Sequence, residues 1–340
     1  MLPTLLTLPV VGTTFHVSST NGDDLLGDGS TASPWRSLSY AGRHTAAGST
    51  LLLERNSTWL DEKLIIADAA GVTISSYGNT SLPLPLVQMG RPVAMETTCV
   101  SLHGVTHTTV RGLHLSGCST GLAAIAARGA TDLLVERMFI RDVRTPFARY
   151  TPANPDWAVG ISLTGTIANV TLRNNVASRV DSFFHAGAAM AGLLISGNTV
   201  AQCSGNCYSL GTGSGLDMRD NVMLRDLSTR YFLYGTTDVI VGSLSGHNRM
   251  VNNDFNARGE YTGGPDGCAF DFETAASGAS EPAAAGVGAQ PQPRPSRAHR
   301  HTSPPHSPNP ACPVSPTRPP PIGQGSSSRA TPSTAAGVQA

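Results

Sequence analysis

Four carboxylates, Glu260, Asp266, Asp271 and Glu273, fall within 14 residues of a chain in which only 14% of residues are charged. In "CAFDFET", Cys268, Phe270 and Phe272 alternate with Ala269, Asp271 and Glu273. On a strand this period of two turns Asp271 and Glu273 to one face, roughly 6.5 to 7 Å apart at Cα, with the phenylalanines opposite. Two carboxylates so placed can serve as the acid and base of glycosidic bond cleavage once their surroundings separate their pKa values. The hard oxygens of Glu260 and Asp266, with or without the later pair, also suit Ca2+ holding a uronate. The same residues equally fit a tight turn at Asp266–Gly267 followed by a solvated strand face, and the sequence leaves both readings open.

Further upstream, His185 in "RVDSFFHAG" is the side chain best suited to exchange a proton near neutral pH. Asp181 and Asp238 are candidate orienting or metal-binding carboxylates. Arg179 and Arg230 could clamp a carboxylated sugar, since a guanidinium binds a carboxylate bidentately. Trp157 and Tyr234 are candidate platforms for the C–H faces of sugar rings. Trp157 sits in "RYTPANPDWAVG", a long segment between strand-like runs and a natural overhang for a groove. Each of these residues has an ordinary turn, packing or surface reading beside the functional one.

The elements that must position them repeat. "LRNNVASRV", "ISGNTVAQC", "MRDNVMLRD" and "MVNNDFNAR" each put asparagine after a short strand-like run, and Asn175, Asn198 and Asn221 are 23 residues apart, with Asn253 following after 32. "GVTISSYG", "HTTVRGLHLSG" and "DLLVERMFI" share the strand character without the asparagine. A period near 23 residues, with short strands, tight turns and no convincing helix between, describes one rung of a parallel β-helix. Rungs stack about 4.8 Å apart, so the asparagines are expected to form a structural ladder, each amide bonding the rungs above and below. The expected fold is therefore all-β, a solenoid over residues 13–274.

The opening strengthens this expectation. In "FHVSSTNGDDLLGDGSTASPWRSLSYA", the residues Phe15, Val17, Ser18, Asp23, Gly27, Gly29, Pro34, Trp35 and Leu38 resemble the N-terminal segment of right-handed parallel β-helix proteins of the pectin-lyase-like superfamily. There a strand leads through an Asp/Gly-rich loop and a Pro-aromatic element to a short capping helix. The chain departs from that pattern at Gly48-Ser49, where Gly-Asp is frequent. The resemblance implies the fold, polysaccharide lyase or glycoside hydrolase chemistry, and, for a lyase, an arginine or lysine as proton acceptor. No catalytic motif carries over residue by residue, and the fold also serves non-catalytic binders.

The formal net charge of zero argues against an electrostatic nucleic-acid partner, and no run is long enough to span a bilayer. Of six cysteines, Cys203 and Cys207 in "CSGNC" could close a small loop in an oxidising compartment or remain thiols. Sequons at Asn56, Asn79 and Asn169 suit a secreted glycoprotein. Residues 1–12 read as a weak or truncated signal segment, or as the entry to the first strand. Residues 275–340 carry 14 of the 24 prolines and no Leu, Phe, Tyr or Trp, so they read as a disordered tail or, given the abrupt change after Thr274, a misassigned reading frame. The functional expectation is a secreted, monomeric protein that binds an acidic polysaccharide in a surface groove, with cleavage by lyase or hydrolase chemistry left open, and with a non-catalytic glycan-binding or adhesion protein as the alternative.

Overall fold

The computed structural model describes residues 12–90, 97–125, 131–144, 158–165, 167–187, 189–224, 239–242, 244–256 and 270–272. The chain forms a right-handed parallel β-helix built from three parallel sheets, with one helix, Leu38–His44, among the described residues. Each rung visits the first, second and third sheet in that order. One such rung comprises Ile167–Arg173, Val176–Val180 and Ser182–Ala186, and the next Met190–Ser196, Thr199–Cys203 and Tyr208–Leu210. Strands of successive rungs pair in strict register, so equivalent residues stack in columns along the axis.

Inward columns hold the apolar residues that the sequence alternates. In the third sheet Val100, Leu122, Ile161, Phe184, Tyr208 and Val239 lie above one another, all buried. Burying side chains of this size contributes roughly 1.5 to 3 kcal/mol each, which offsets the ordering of a chain with little helix.

The turn from first to second sheet is made by two residues, the first in the left-handed region. Arg137, Asn174, Gly197, Asp220 and Asn252 occupy it, at φ from 52° to 64°. The residue after it carries the asparagine ladder. Asn175 donates from its backbone and Nδ2 to Oδ1 of Asn198, Asn198 does the same to Asn221, and Asn221 to Asn253, at 2.8–3.1 Å. Asn175, Asn198 and Asn221 are fully buried, and each also donates to a main-chain carbonyl below, so the expected structural ladder is present.

The N-terminal end is covered. Thr14–Val17 extends the first sheet, and the helix packs on Leu64–Ala67, the exposed end of the third. Ser37 caps the helix by accepting from the Tyr40 amide. Gly42 makes the approach possible: a Cβ there would stand 2.3 Å from the Ile65 carbonyl oxygen. Of the residues that carry the family resemblance, Phe15 stacks on Trp35, Asp23 accepts from the Leu25 and Leu26 amides, and Gly29 holds φ 79°. Disulfides Cys99–Cys118 and Cys203–Cys207 both sit at the corner where the second sheet passes to the third. The first was not foreseen from spacing; the second settles the open choice at "CSGNC". The expected tail at 275–340 and, except for Gly12, the expected leader at 1–12 lie outside the described residues.

Candidate functional site: the outer face of the third sheet

The corners of the solenoid are unequal. From first to second sheet the later rungs spend two residues, whereas from second to third they spend as few as one (Asp181) and as many as fifteen, between Val143 and Val159. Long connections also separate Gln88 from Thr98, Leu224 from Val239, and Asn256 from Phe270. All four enter the third sheet at the same corner. The β-helix therefore gathers its four longest connections between sheets along one edge of one sheet, while connections of eight residues occur at the other two corners.

Beside that edge one register column of the third sheet passes through positions 65, 101, 123, 162, 185, 209, 240 and 271, and Ile65, Ser162, His185 and Ser209 reach solvent along it. The serines keep this face low and hydroxylated. Ser101 lies 2.7 Å from Nε2 of His103, two residues along the same strand. His185 is half-buried between Ser162 and Ser209, its ring leaning over Gly187, where a Cβ would meet Nε2 at 3.1 Å. No hydrogen bond reaches it among the described residues, and desolvation holds its pKa below the ordinary 6.5, leaving a neutral imidazole at pH 7.

His185 and Asp271 share this column but stand three rungs apart, about 14 Å along the axis at the usual strand spacing. That exceeds the roughly 5 to 9.5 Å that separates two groups acting on one glycosidic bond. Positions so far apart cannot act together on one bond. Phe270 takes the register position of buried Tyr208 and Val239, which leaves Asp271 the position of His185 and Ser209. Trp157, Arg230, Tyr234, Asp238, Glu260, Asp266 and Glu273 lie outside the described residues; all but Glu273 belong to connections that enter the third sheet.

Arg179 lies at the same corner, one column back, and is already engaged. Its Nε and Nη2 reach both oxygens of Asp142 on the rung below, at 2.5 and 2.6 Å, and Arg141 adds a third bond at 2.8 Å. These guanidinium bonds hold the Asp142 carboxyl at about 2, against an ordinary 3.8. Asp142, Arg179 and Gln202 each take a left-handed φ of 52° to 57°, a column of bulges that turns these side chains to the corner. Burial beside the Arg141 guanidinium pushes neighbouring His114 down to about 4. Asp181, just past this corner, is buried and accepts from Ser204 Oγ at 2.6 Å. Sequence reading passed over Asp142, Arg141 and His114. The available signal was the 37-residue separation of Asp142 from Arg179, which one long connection hides.

No group of three or more His, Cys, Asp or Glu side chains able to hold a metal ion occurs among the described residues. Nor is any helix among them long and apolar enough to cross a membrane. No family model matches the chain. Over 84 residues, 22% of the chain, it is 37% identical to a lacto-N-biosidase of Bifidobacterium longum subsp. longum, a stretch that covers 5% of that protein. Crystal structures of GH136 lacto-N-biosidase from Eubacterium ramulus, native and selenomethionine forms, are similar at 16% identity and TM-score 0.42, over 77% of this chain and 55% of theirs. An alginate lyase from Paenibacillus sp. str. FPU-7 is similar at 11% identity and TM-score 0.38, over 77% of this chain and 99% of its own. The chain thus spans about half the length of the lacto-N-biosidase structures and a small part of the curated relative.

Proposed function

We propose that this chain is an extracellular β-helix protein that binds an acidic polysaccharide along the outer face of its third sheet and cleaves it. The observation that carries the reading is the single corner at which the four long connections enter that sheet, beside a low face of serines and imidazoles. A linear polymer matches such a face, because both repeat along one axis. The 84-residue likeness to a protein named lacto-N-biosidase supports a glycan as the ligand class. The two disulfides support an oxidising compartment.

In this reading the chemistry centres on Asp271, with Glu273 and Asp238 as its partners, and His185 contacts the polymer about 14 Å away. Arg230, Trp157 and Tyr234 complete the binding surface from the connections. Arg179 contributes through the Asp142 pair that shapes the corner. Glu260 and Asp266 would hold Ca2+ against a uronate, whose oxygen ligands suit that ion.

The test is a panel of pectin, alginate, glycosaminoglycan and neutral glycans, read by reducing-end release and by unsaturated-uronate absorbance, with and without Ca2+. Release of reducing ends alone marks a hydrolase, and absorbance a lyase. Binding on a glycan array without either signal, in protein with an intact β spectrum, supports the second reading, a non-catalytic glycan binder. The 14 Å between His185 and Asp271 favours that second reading to the extent that catalysis needs both on one bond.

A further inference from the structure

On the first sheet, one register column runs Arg111, Glu136, Arg173, Ser196 and Arg219 over five successive rungs. The column beside it, Val110, Val135, Leu172, Ile195 and Met218, is fully buried, so alternation along each strand turns the first column outward. Arginine recurs there at every second rung, about 10 Å apart at Cα.

The charges of this column are sorted by depth. The Glu136 side chain is 4% exposed, whereas those of Arg111, Arg173 and Arg219 are 47%, 45% and 41% exposed. Arg173 Nε donates to Glu136 Oε2 at 2.7 Å, and Arg111 Nη1 lies 3.9 Å from Oε1. Arg111 Nε donates to Ser75 Oγ at 3.2 Å, and Arg219 Nε lies 3.6 Å from Asp217 Oδ2. Each guanidinium is thus anchored through its Nε side. Among the described residues no hydrogen bond takes the terminal nitrogens of any of the three. The carboxylate that orients Arg111 and Arg173 is itself withdrawn from solvent.

The open end of a guanidinium matches a carboxylate or a sulfate bidentately. A row of such ends along the solenoid axis matches anions repeated along a linear polymer. Part-exposed Thr109 and Thr171, two residues before the first two arginines, and Ser196 between the last two add hydroxyls for sugar hydroxyls. Neither outward column of these strands carries an aromatic ring, the platform that single-stranded nucleic acid uses, and the chain has no net positive charge for a duplex. We infer that the outer face of the first sheet is a binding track for a linear anionic polysaccharide, whose carboxylates or sulfates are held by Arg111, Arg173 and Arg219. The track shares its ligand class with the third-sheet reading and rests on that much of it, but needs neither that site nor cleavage.

Isothermal titration calorimetry on the full chain with polygalacturonate, alginate and heparin tests this, with amylose and poly(dT) as controls. At least one acidic glycan should bind saturably, and more weakly as salt rises. Binding of the two polyuronates without heparin marks carboxylate recognition, and of heparin alone sulfate recognition; either supports the track. Arg173→Ala should weaken binding about tenfold or more, the loss expected for a hydrogen bond to a charged group, and Arg219→Ala severalfold. Glu136→Gln makes the face more positive but loosens two guanidiniums, so it should weaken binding. Arg173→Lys keeps the charge and loses the planar fork, and should weaken it too. Absence of saturable binding by all three acidic glycans overturns the inference. So does binding unchanged in both alanine variants, tighter binding by Glu136→Gln, or equal affinity for amylose or poly(dT). Each variant counts only if its circular dichroism matches the parent; if Glu136→Gln fails to fold, Arg173→Lys decides. Binding indifferent to both alanine variants but lost in His185→Ala overturns this track and supports the third sheet. Arginine-dependent binding with no cleavage product from any polymer sinks the third-sheet cleavage and supports the track.

Discussion

Arg179 holds both oxygens of Asp142 across one rung, and the two residues stand in a column of left-handed bulges. The pair is partly exposed, so solvent screening limits its contribution to about 1 kcal/mol despite the depressed pKa. Its sign is definite. The Asp142 pKa lies below its unfolded value, so the contribution is present above pH 3.8 and is lost as pH falls through about 2. Asp142→Asn should lower the urea midpoint at pH 7 by the equivalent of about 1 kcal/mol, by clearly less near pH 2, and not at all well below it. An offset that stays constant across that range would remove the ion pair from the account.

His114 acts in a different pH window. Its folded pKa of about 4 lies below 6.5, so the unfolded chain takes the proton first and stability falls as pH drops between those values. His114→Gln should flatten this part of the stability profile measured by urea titration at half-unit pH steps. Because the mechanism is desolvation and the Arg141 charge, high salt should flatten only part of it.

Asn198→Ala should destabilise far more than any exposed turn substitution. It removes the acceptor for the Asn175 N–H and Nδ2 and the donor to Leu172 and Asn221, all buried. The expected loss is about 2 to 4 kcal/mol by chemical denaturation, with Asn175 and Leu172 left unsatisfied. A loss under about 1 kcal/mol would falsify the ladder as a source of stability.

Reduction should separate the two disulfides. Cys99–Cys118 closes a separation of 19 residues and Cys203–Cys207 one of 4, so chain entropy predicts losses of about 3 and about 2 kcal/mol for their Ser pairs. Differential scanning calorimetry with and without dithiothreitol, on the parent and each double variant, measures both. Equal effects would mean that the loop argument does not govern this corner.

On the third sheet, Asp271→Asn should abolish turnover while leaving glycan affinity within a few-fold, and His185→Ala should raise KM more than it lowers kcat. Initial-rate kinetics on whichever glycan the panel selects distinguish these outcomes. Since His185 is neutral at pH 7, KM of an acidic glycan should fall as pH drops below 6.5 in the parent and not in His185→Ala. A collapse of kcat in His185→Ala with KM unchanged would place the chemistry at that rung instead of at Asp271.

The repeat was legible because a β-helix writes its period directly into the chain: Asn175, Asn198 and Asn221 recur every 23 residues, as the buried ladder requires. The cap was legible through Trp35 and the Asp/Gly loop. Pairings across rungs were not. Arg179 and Asp142 are 37 residues apart only because the connection 144–158 lengthens one rung, and Cys99 reaches Cys118 by stacking rather than by a recognisable spacing. The column shared by His185 and Asp271 follows from register, but its 14 Å span needs the rung count, which irregular connections conceal from the sequence.

The inequality of the corners also has a use in engineering. Because length added between the second and third sheets leaves the two-residue turn and its asparagines in register, that corner behaves as a socket. Foreign peptides spliced between Leu224 and Val239 should be displayed without changing the pitch of the scaffold, whereas a single residue inserted between Arg173 and Val176 should unseat it.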